Sequence, residues 1–351
     1  MQSNIIPNFN LRFWSSRILP VIALAVLSMP LASCGGPSRN SAPQRAGATA
    51  RESDPMAEVH MVAQDRDVWV QLLTDHAKIH RKVVHRQEGD LGIVEATTES
   101  EDRAVAAKII DHAKAMQTRM KAGAQVRIWD PVFKDLFAHH AKASIEVTPT
   151  DKGVKIVESS RDPETINLLR SHAMGVSDFV RRGHEAGSRE TPRLAAGSPL
   201  PPPEVAIGGL PHHFLLSQPD AAQLAMLKQQ GVSKVVNFRK PGEPGTYDEK
   251  SAADANRVEY CNIPYKEADE LTDAVLEEAR AQFKAAEKSD SVMVLHCRTG
   301  NRVGPGLAMY LALDKGMSAD DAIACAKAVG MVDPRYETIT RDAIRRETAR
   351  Q

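Results

Sequence analysis

The sequence predicts an α/β protein: a C-terminal parallel sheet flanked by helices, preceded by a mainly helical, duplicated α/β domain. Three observations carry this. Residues 204–351 alternate short apolar strands with helical stretches. Residues 56–188 contain an internal repeat of about 60 residues. Between them, residues 189–203 crowd together Pro192, Pro199, Pro201, Pro202 and Pro203, the composition of an extended linker.

In the C-terminal half, 221–230 reads as a helix and KVVNF at 234–238 as a buried strand. A second strand is expected at 258–263 and a long helix at 271–288. VMVL at 292–295 forms a third strand that runs straight into His296 and Cys297. Helices follow at 305–314, where Pro305 suits a first turn, and at 319–328. Apolar strands alternating with helices of this kind bury both sheet faces, which is the signature of parallel pairing.

In the N-terminal half, residues 90–123 align with 151–183. Gly92 falls on Gly153, Ser100 on Ser160, Asp102 on Asp162, His112 on His172 and Gly123 on Gly183. Upstream, WVQLLTDHAK from Trp69 matches FKDLFAHHAK from Phe133, which sets His76 against His140. The predicted unit is a helix, a short strand or hairpin, and a helix capped by Asp with a glycine after its end.

The chain has 351 residues, with 45 Lys plus Arg against 45 Asp plus Glu. This balance gives no reason to expect a nucleic-acid partner. Arg12 and Arg17 precede an apolar run at 18–29 that is too short to span a bilayer comfortably. The Leu31-Ala32-Ser33-Cys34-Gly35 that follows resembles the bacterial lipobox. The resemblance implies a signal peptide at 1–33, lipidation of Cys34, a flexible tether over 34–55 and a membrane anchor through the lipid. It places the chain in the cell envelope on the periplasmic side, and Gly35 in place of Asp leans towards the outer membrane. Of the other three cysteines, an odd count leaves at least one thiol. No CxxCH is present, so c-type haem attachment is excluded.

The chemistry concentrates at His296-Cys297-Arg298-Thr299-Gly300-Asn301-Arg302. A cysteine at the end of a parallel strand, followed by a glycine-containing turn and a helix, sits where backbone N–H groups converge on an anion. The same dipoles favour thiolate over thiol. Arg302 can grip an oxyanion through two parallel hydrogen bonds. The loop therefore combines a nucleophile with an oxyanion cradle. The plainer alternative is a small buried core cysteine.

With these residues, the stretch from Ile207 to about Asp342 resembles the protein-tyrosine-phosphatase-like superfamily, in its beta-lactamase-hydrolase-like branch. The similar segments are IGGLP at 207–211, LKQQGVSKVVNFRKPGE at 227–243, NIPY at 262–265 and VLHCRTGNRVG at 294–304. The resemblance implies Cys297 as nucleophile, Arg302 as clamp and the main chain of Arg298, Thr299, Gly300, Asn301 and Arg302 as cradle. His296 would help set the thiolate. The general acid would come from the loop after Tyr265, with Asp269 chosen over Glu267 and Glu270. The sequence departs from the superfamily signature in two ways. Four residues rather than five separate Cys297 from Arg302, and Val303 replaces the hydroxyl that usually follows the arginine. Four is the spacing of rhodanese-type sulfurtransferases, so a persulfide carried on Cys297 is the alternative chemistry, with Cys261 as a resolving thiol if it lies close. A non-catalytic anion sensor is the third reading. The expected substrate is a small anion or a phosphoprotein, with no cofactor; what binds the 56–188 domain is left open.

In the repeat domain, His76 and His80 are four apart on an expected helix, as are His112 and Met116. A metal or haem site is the lesser reading of this pattern. Its candidates are His76, His80, His112, His140 and His172. Only the pairs His76/His140 and His112/His172 recur in the repeat, which a duplicated packing core explains equally well.

Overall fold

The computed structural model describes residues 55–288 and 292–350. The expected signal segment, Cys34 and the expected tether up to residue 54 lie outside the described residues. Each repeat unit is a helix, a 3-10 turn, a β-hairpin and a second helix. The first comprises α1 (Pro55–Thr74), β1 (His80–Glu88), β2 (Leu91–Glu99) and α2 (Arg103–Ala122); the second comprises α3 (Pro131–Ala138), β3 (Ser144–Thr150), β4 (Gly153–Ser160) and α4 (Pro163–Arg182). A short α5 (His184–Gly187) follows.

The two units match in detail. The residue after each His-Ala-Lys turn has nearly the same backbone, φ −108° and ψ 140° at Ile79, φ −108° and ψ 141° at Ala143. Lys78 reaches the cap Asp102 at 2.9 Å, and Lys142 reaches Asp162 at 2.9 Å. The recurring glycines and histidines explain one another. A Cβ on Gly183 would lie 2.5 Å from the His76 ring, and one on Gly123 would lie 2.7 Å from His140. Each unit's final glycine leaves room for the other unit's imidazole. His76 and His80 do not share a helix, contrary to expectation. His76 sits in the 3-10 turn and His80 opens β1, because the chain leaves helical geometry after Thr74 and enters the strand carrying Val83 and Val84. Among the described residues no group of three or more His, Cys, Asp or Glu is placed to hold a metal ion.

The second half contributes β5 (Glu204–Ile207), β6 (His213–Ser217), α6 (Ala221–Gln229), β7 (Val232–Asn237), α7 (Glu249–Ala255), β8 (Glu259–Asn262), α8 (Asp273–Lys288), β9 (Val292–Cys297), α9 (Gly304–Leu313), α10 (Ala319–Val329) and α11 (Pro334–Thr348). The protein is a mixed α/β fold. One nine-stranded sheet runs through both halves in the order β3-β4-β2-β1-β5-β6-β9-β7-β8. The four repeat strands and β5 pair antiparallel, with β1 of the first half bonded to β5 of the second. The pairs β6–β9, β9–β7 and β7–β8 are parallel.

Segment 189–203 has no regular secondary structure, yet it is docked rather than free. Asp130, fully buried, accepts from the Thr191 backbone and hydroxyl at 3.1 and 2.8 Å and from Arg127 at 3.1 Å, while its other oxygen caps α3. Arg127 in turn lies over the rings of Trp129, Phe133, Phe179 and Trp69 at 4.3–5.3 Å. Asp130→Ala strands a desolvated guanidinium and unties the segment. We expect a loss of about 3–5 kcal/mol, measured by urea unfolding followed through tryptophan fluorescence; a loss within about 0.5 kcal/mol, the range of ordinary surface changes, contradicts this account.

In the second half the sheet is covered on both sides. α6 and α7 pack with Leu216, Val235 and Val294 on one face, and α8 to α11 pack with Leu215, Val236 and Leu295 on the other. Helix α9, GPGLAMYLAL, is apolar all round because α8, α10 and α11 surround it above the sheet. No described helix is long and apolar enough to cross a membrane.

Candidate active site

Parallel pairing brings the carboxyl ends of four strands to one edge. Ser217 is level with Cys297, Asn237 with His296, and Asn237 with Asn262. The loops after β6, β7, β8 and β9 therefore meet there, the usual position for a ligand in an open α/β sheet.

Cys297 ends β9 and is fully buried, with its sulfur directed at its own loop: Gly300 N–H donates to Sγ at 3.1 Å. Gly300 has φ +88°, and a Cβ there would strike the Val329 carbonyl at 1.9 Å, so only glycine fits both the turn and its neighbour. Among the described residues, no protein acceptor takes the backbone N–H of Arg298, Thr299, Asn301 or Arg302. Consecutive unspent amides beside a sulfur form a cradle for an anion. The Asn301 side chain faces away from the cradle. Its Oδ1 accepts from Val332 and Asp333 N–H at 2.8 and 3.2 Å and anchors the entry to α11. Arg298 and Thr299 expose their side chains.

Arg302 is held inside the site. Nη1 donates to Glu243 Oε1 (2.5 Å) and to the Tyr265 carbonyl (2.9 Å), and Nη2 donates to Glu243 Oε2 (2.8 Å). The Tyr265 hydroxyl, buried and therefore well above its usual pKa, donates to the Arg302 carbonyl. Glu243 also accepts from Arg239 Nε at 3.3 Å and from the Lys240 backbone at 2.7 Å. Arg239 is tied to Gln218 and the Pro244 carbonyl. Loops from three strands thus converge on one guanidinium. The segment carrying Glu243 stood out in the sequence only through its resemblance, and Glu243 itself had no role there; a carboxylate 59 residues from its partner leaves no local signal.

The hydrogen bonds from Arg302, with smaller contributions from Lys240 and Arg239, outweigh burial and hold the Glu243 carboxyl down at about 2. A carboxyl depressed in the folded state contributes stability that is present above its unfolded pKa of about 4.5 and is lost as pH falls towards 2. The stability difference between wild type and Glu243→Gln should therefore shrink across that window. Thermal melts at stepped pH check this, and a difference that stays constant or widens on acidification opposes it.

His296 lies on the sheet face opposite Cys297, since adjacent strand residues alternate. Its Nε2 is 2.9 Å from Glu249 Oε1, out of line for a hydrogen bond, and Glu249 Oε2 accepts from Asn237 at 2.7 Å. This buried cluster reaches Cys297 only through the backbone. Asp269 is exposed on the 3-10 turn Ala268–Glu270, directly after the Tyr265 that Arg302 binds. Its rivals are committed elsewhere. Glu270 pairs with Lys240 and accepts from Lys266 and Glu267 N–H, which hold it at about 2; Glu267 caps the turn. Cys261 lies two strands from Cys297 with β7 between, about 10 Å across the sheet, beyond disulfide reach. All three described cysteines are free.

No family model matches the chain, and no curated protein matches it. Solved structures match part of it. P. aeruginosa TpbA is 24% identical over 42% of this chain and 90% of its own, with a TM-score of 0.34. Human DUSP28 is 23% identical over 43% of this chain and 99% of its own, with a TM-score of 0.34. A putative phosphatase (DUF442) from Shewanella putrefaciens CN-32 is 16% identical over 38% of this chain and 84% of its own, with a TM-score of 0.33.

Proposed function

We propose that the C-terminal half is a cysteine-dependent, phosphatase-like hydrolase of anionic esters. The observation that carries this reading is the loop itself: Cys297 Sγ in hydrogen-bond reach of Gly300 N–H, neighbouring amides unspent, and the Arg302 guanidinium held at the same loop. The thiolate attacks phosphorus and the bond to the leaving oxygen breaks. Asp269, the uncommitted acid of its turn, gives that oxygen a proton. Water then attacks the cysteinyl-phosphate, returns a proton to Asp269 and releases phosphate. His296 and Glu249 act as positioning residues. The lipobox-like segment would hold this activity at the periplasmic face of a membrane through lipidated Cys34.

Mass spectrometry of Cys297 after rapid acid quench tests the reading, with an aryl phosphate and thiosulfate supplied in parallel. A phosphate adduct from the aryl phosphate is expected. The four-residue spacing and the buried Val303 favour a persulfide as the second outcome; one sulfur gained from thiosulfate, with no phosphate adduct, replaces the hydrolase reading with sulfur transfer.

A further inference from the structure

The duplicated half contains a partly open pocket of about 170 Å³ between its sheet and the helices α1 to α4. Protein interiors pack like organic crystals, so a pocket of this size reaching in between a sheet and its helices is unusual. Its wall is mostly apolar, and an apolar cavity of roughly 150 Å³ is large enough to hold benzene. Polar groups interrupt this wall. Arg81, buried, lines it; its Nη1 donates to Thr98 at 2.7 Å and its Nε has no partner among the described residues. Glu158, also buried, lines it with His172, whose Nδ1 is 3.7 Å from the carboxylate. The Nδ1 atoms of His112 and His172 likewise have no hydrogen-bond partner among the described residues.

Duplication does not account for these charges. The repeat sets Ile145 opposite Arg81 and Thr98 opposite Glu158, so the same fold packs once with an apolar or neutral residue and once with a charge. A buried charge that the architecture does not require, beside a void that packing does not fill, is the mark of a binding site. We infer that this cavity binds a small neutral amphiphile: one aromatic ring or short alkyl body with a single hydrogen-bonding head, the head facing Arg81, Glu158, His112 and His172. The head is uncharged because the buried charges already face opposite ones, Arg81 the carboxylates of Glu158 and Glu204 and Glu204 also Arg181 at 3.3 Å, and because burial keeps His112 neutral, with its pKa down at about 4. The size suits on the order of six to ten non-hydrogen atoms. This site is separate from the Cys297 loop and does not depend on the hydrolase reading.

Calorimetric titration of the full chain with indole, benzyl alcohol, toluene, benzoate and benzylamine tests the inference. Indole and benzyl alcohol should bind saturably and raise the melting temperature, with benzoate and benzylamine about tenfold weaker or worse. Ala113→Leu, which fills the wall, should weaken indole at least about tenfold. His112→Leu should weaken indole but leave toluene within about twofold. Absence of saturable binding by any neutral probe, preference for benzoate or benzylamine, or unchanged indole affinity in Ala113→Leu overturns it. Should Ala113→Leu not fold, the methyl resonances of Met116 and Met120, both in the wall, decide the matter in the wild-type protein: they shift with indole if the inference holds and stay fixed if it fails.

Discussion

Cys297→Ser should lower turnover of an aryl phosphate at least about 10⁴-fold while leaving the fold intact, a loss of the size seen when a covalent nucleophile is removed. Serine preserves the shape of the side chain, and its oxygen still accepts from Gly300 N–H, so the change in stability should stay near 1 kcal/mol. What disappears is sulfur as the nucleophile, and serine in its place needs an adjacent base that this loop lacks. His296 does not supply one, because its ring lies on the far face beside Glu249. No other residue of the loop replaces the sulfur: Thr299 points to solvent and position 303 is a buried valine. Steady-state kinetics beside a circular dichroism melt check this. A folded variant that keeps more than about a hundredth of the activity rules out the covalent route.

The parts of this site that were legible in the sequence are the local ones. A run of apolar residues ending in a cysteine, a glycine that must turn and a nearby arginine define a strand, a loop and a helix start within a dozen positions, and β9, the loop and α9 form as that pattern predicts. Likewise the paired Asp caps and final glycines disclosed the repeat, because caps and C-terminal glycines are short-range chemistry. Long-range pairings left no such trace. That β1 would bond to β5 and draw both halves into one sheet follows from edge pairing between segments more than a hundred residues apart. Glu243 and Glu249 read as ordinary acidic residues until the loops that carry them meet Arg302 and His296. The histidines misled at His80 for the opposite reason: a spacing of four suits a helix, but a turn and a strand start occupy those positions.

Arg302→Lys isolates what the guanidinium does beyond carrying charge, and it should cost about 10²–10³-fold in kcat/KM, the size of losing one preorganised oxyanion donor. Lysine keeps the positive charge but offers a point donor in place of a planar fork. In the structure two edges of that fork are already spoken for, by Glu243 through Nη1 and Nη2 and by the Tyr265 carbonyl through Nη1. These contacts fix the plane of the group, so the N–H bonds left over are aimed rather than searching. An ammonium cannot satisfy Glu243 at both oxygens and Tyr265 and still face the cradle, so the loss should fall mainly on kcat. Glu243 keeps Arg239 Nε and Lys240 N–H as partners, so the lysine variant should still fold. The comparison that gives the result its meaning is Arg298→Lys. Arg298 sits next to the nucleophile but exposes its side chain, so the same exchange there keeps the charge and removes no fixed fork, and it should change kcat/KM no more than about threefold, solvent screening what small shift in charge position remains. If both variants lose activity alike, the loss follows from replacing any guanidinium near Cys297, since both keep the charge, and the fixed fork held by Glu243 and Tyr265 is not what sets the rate.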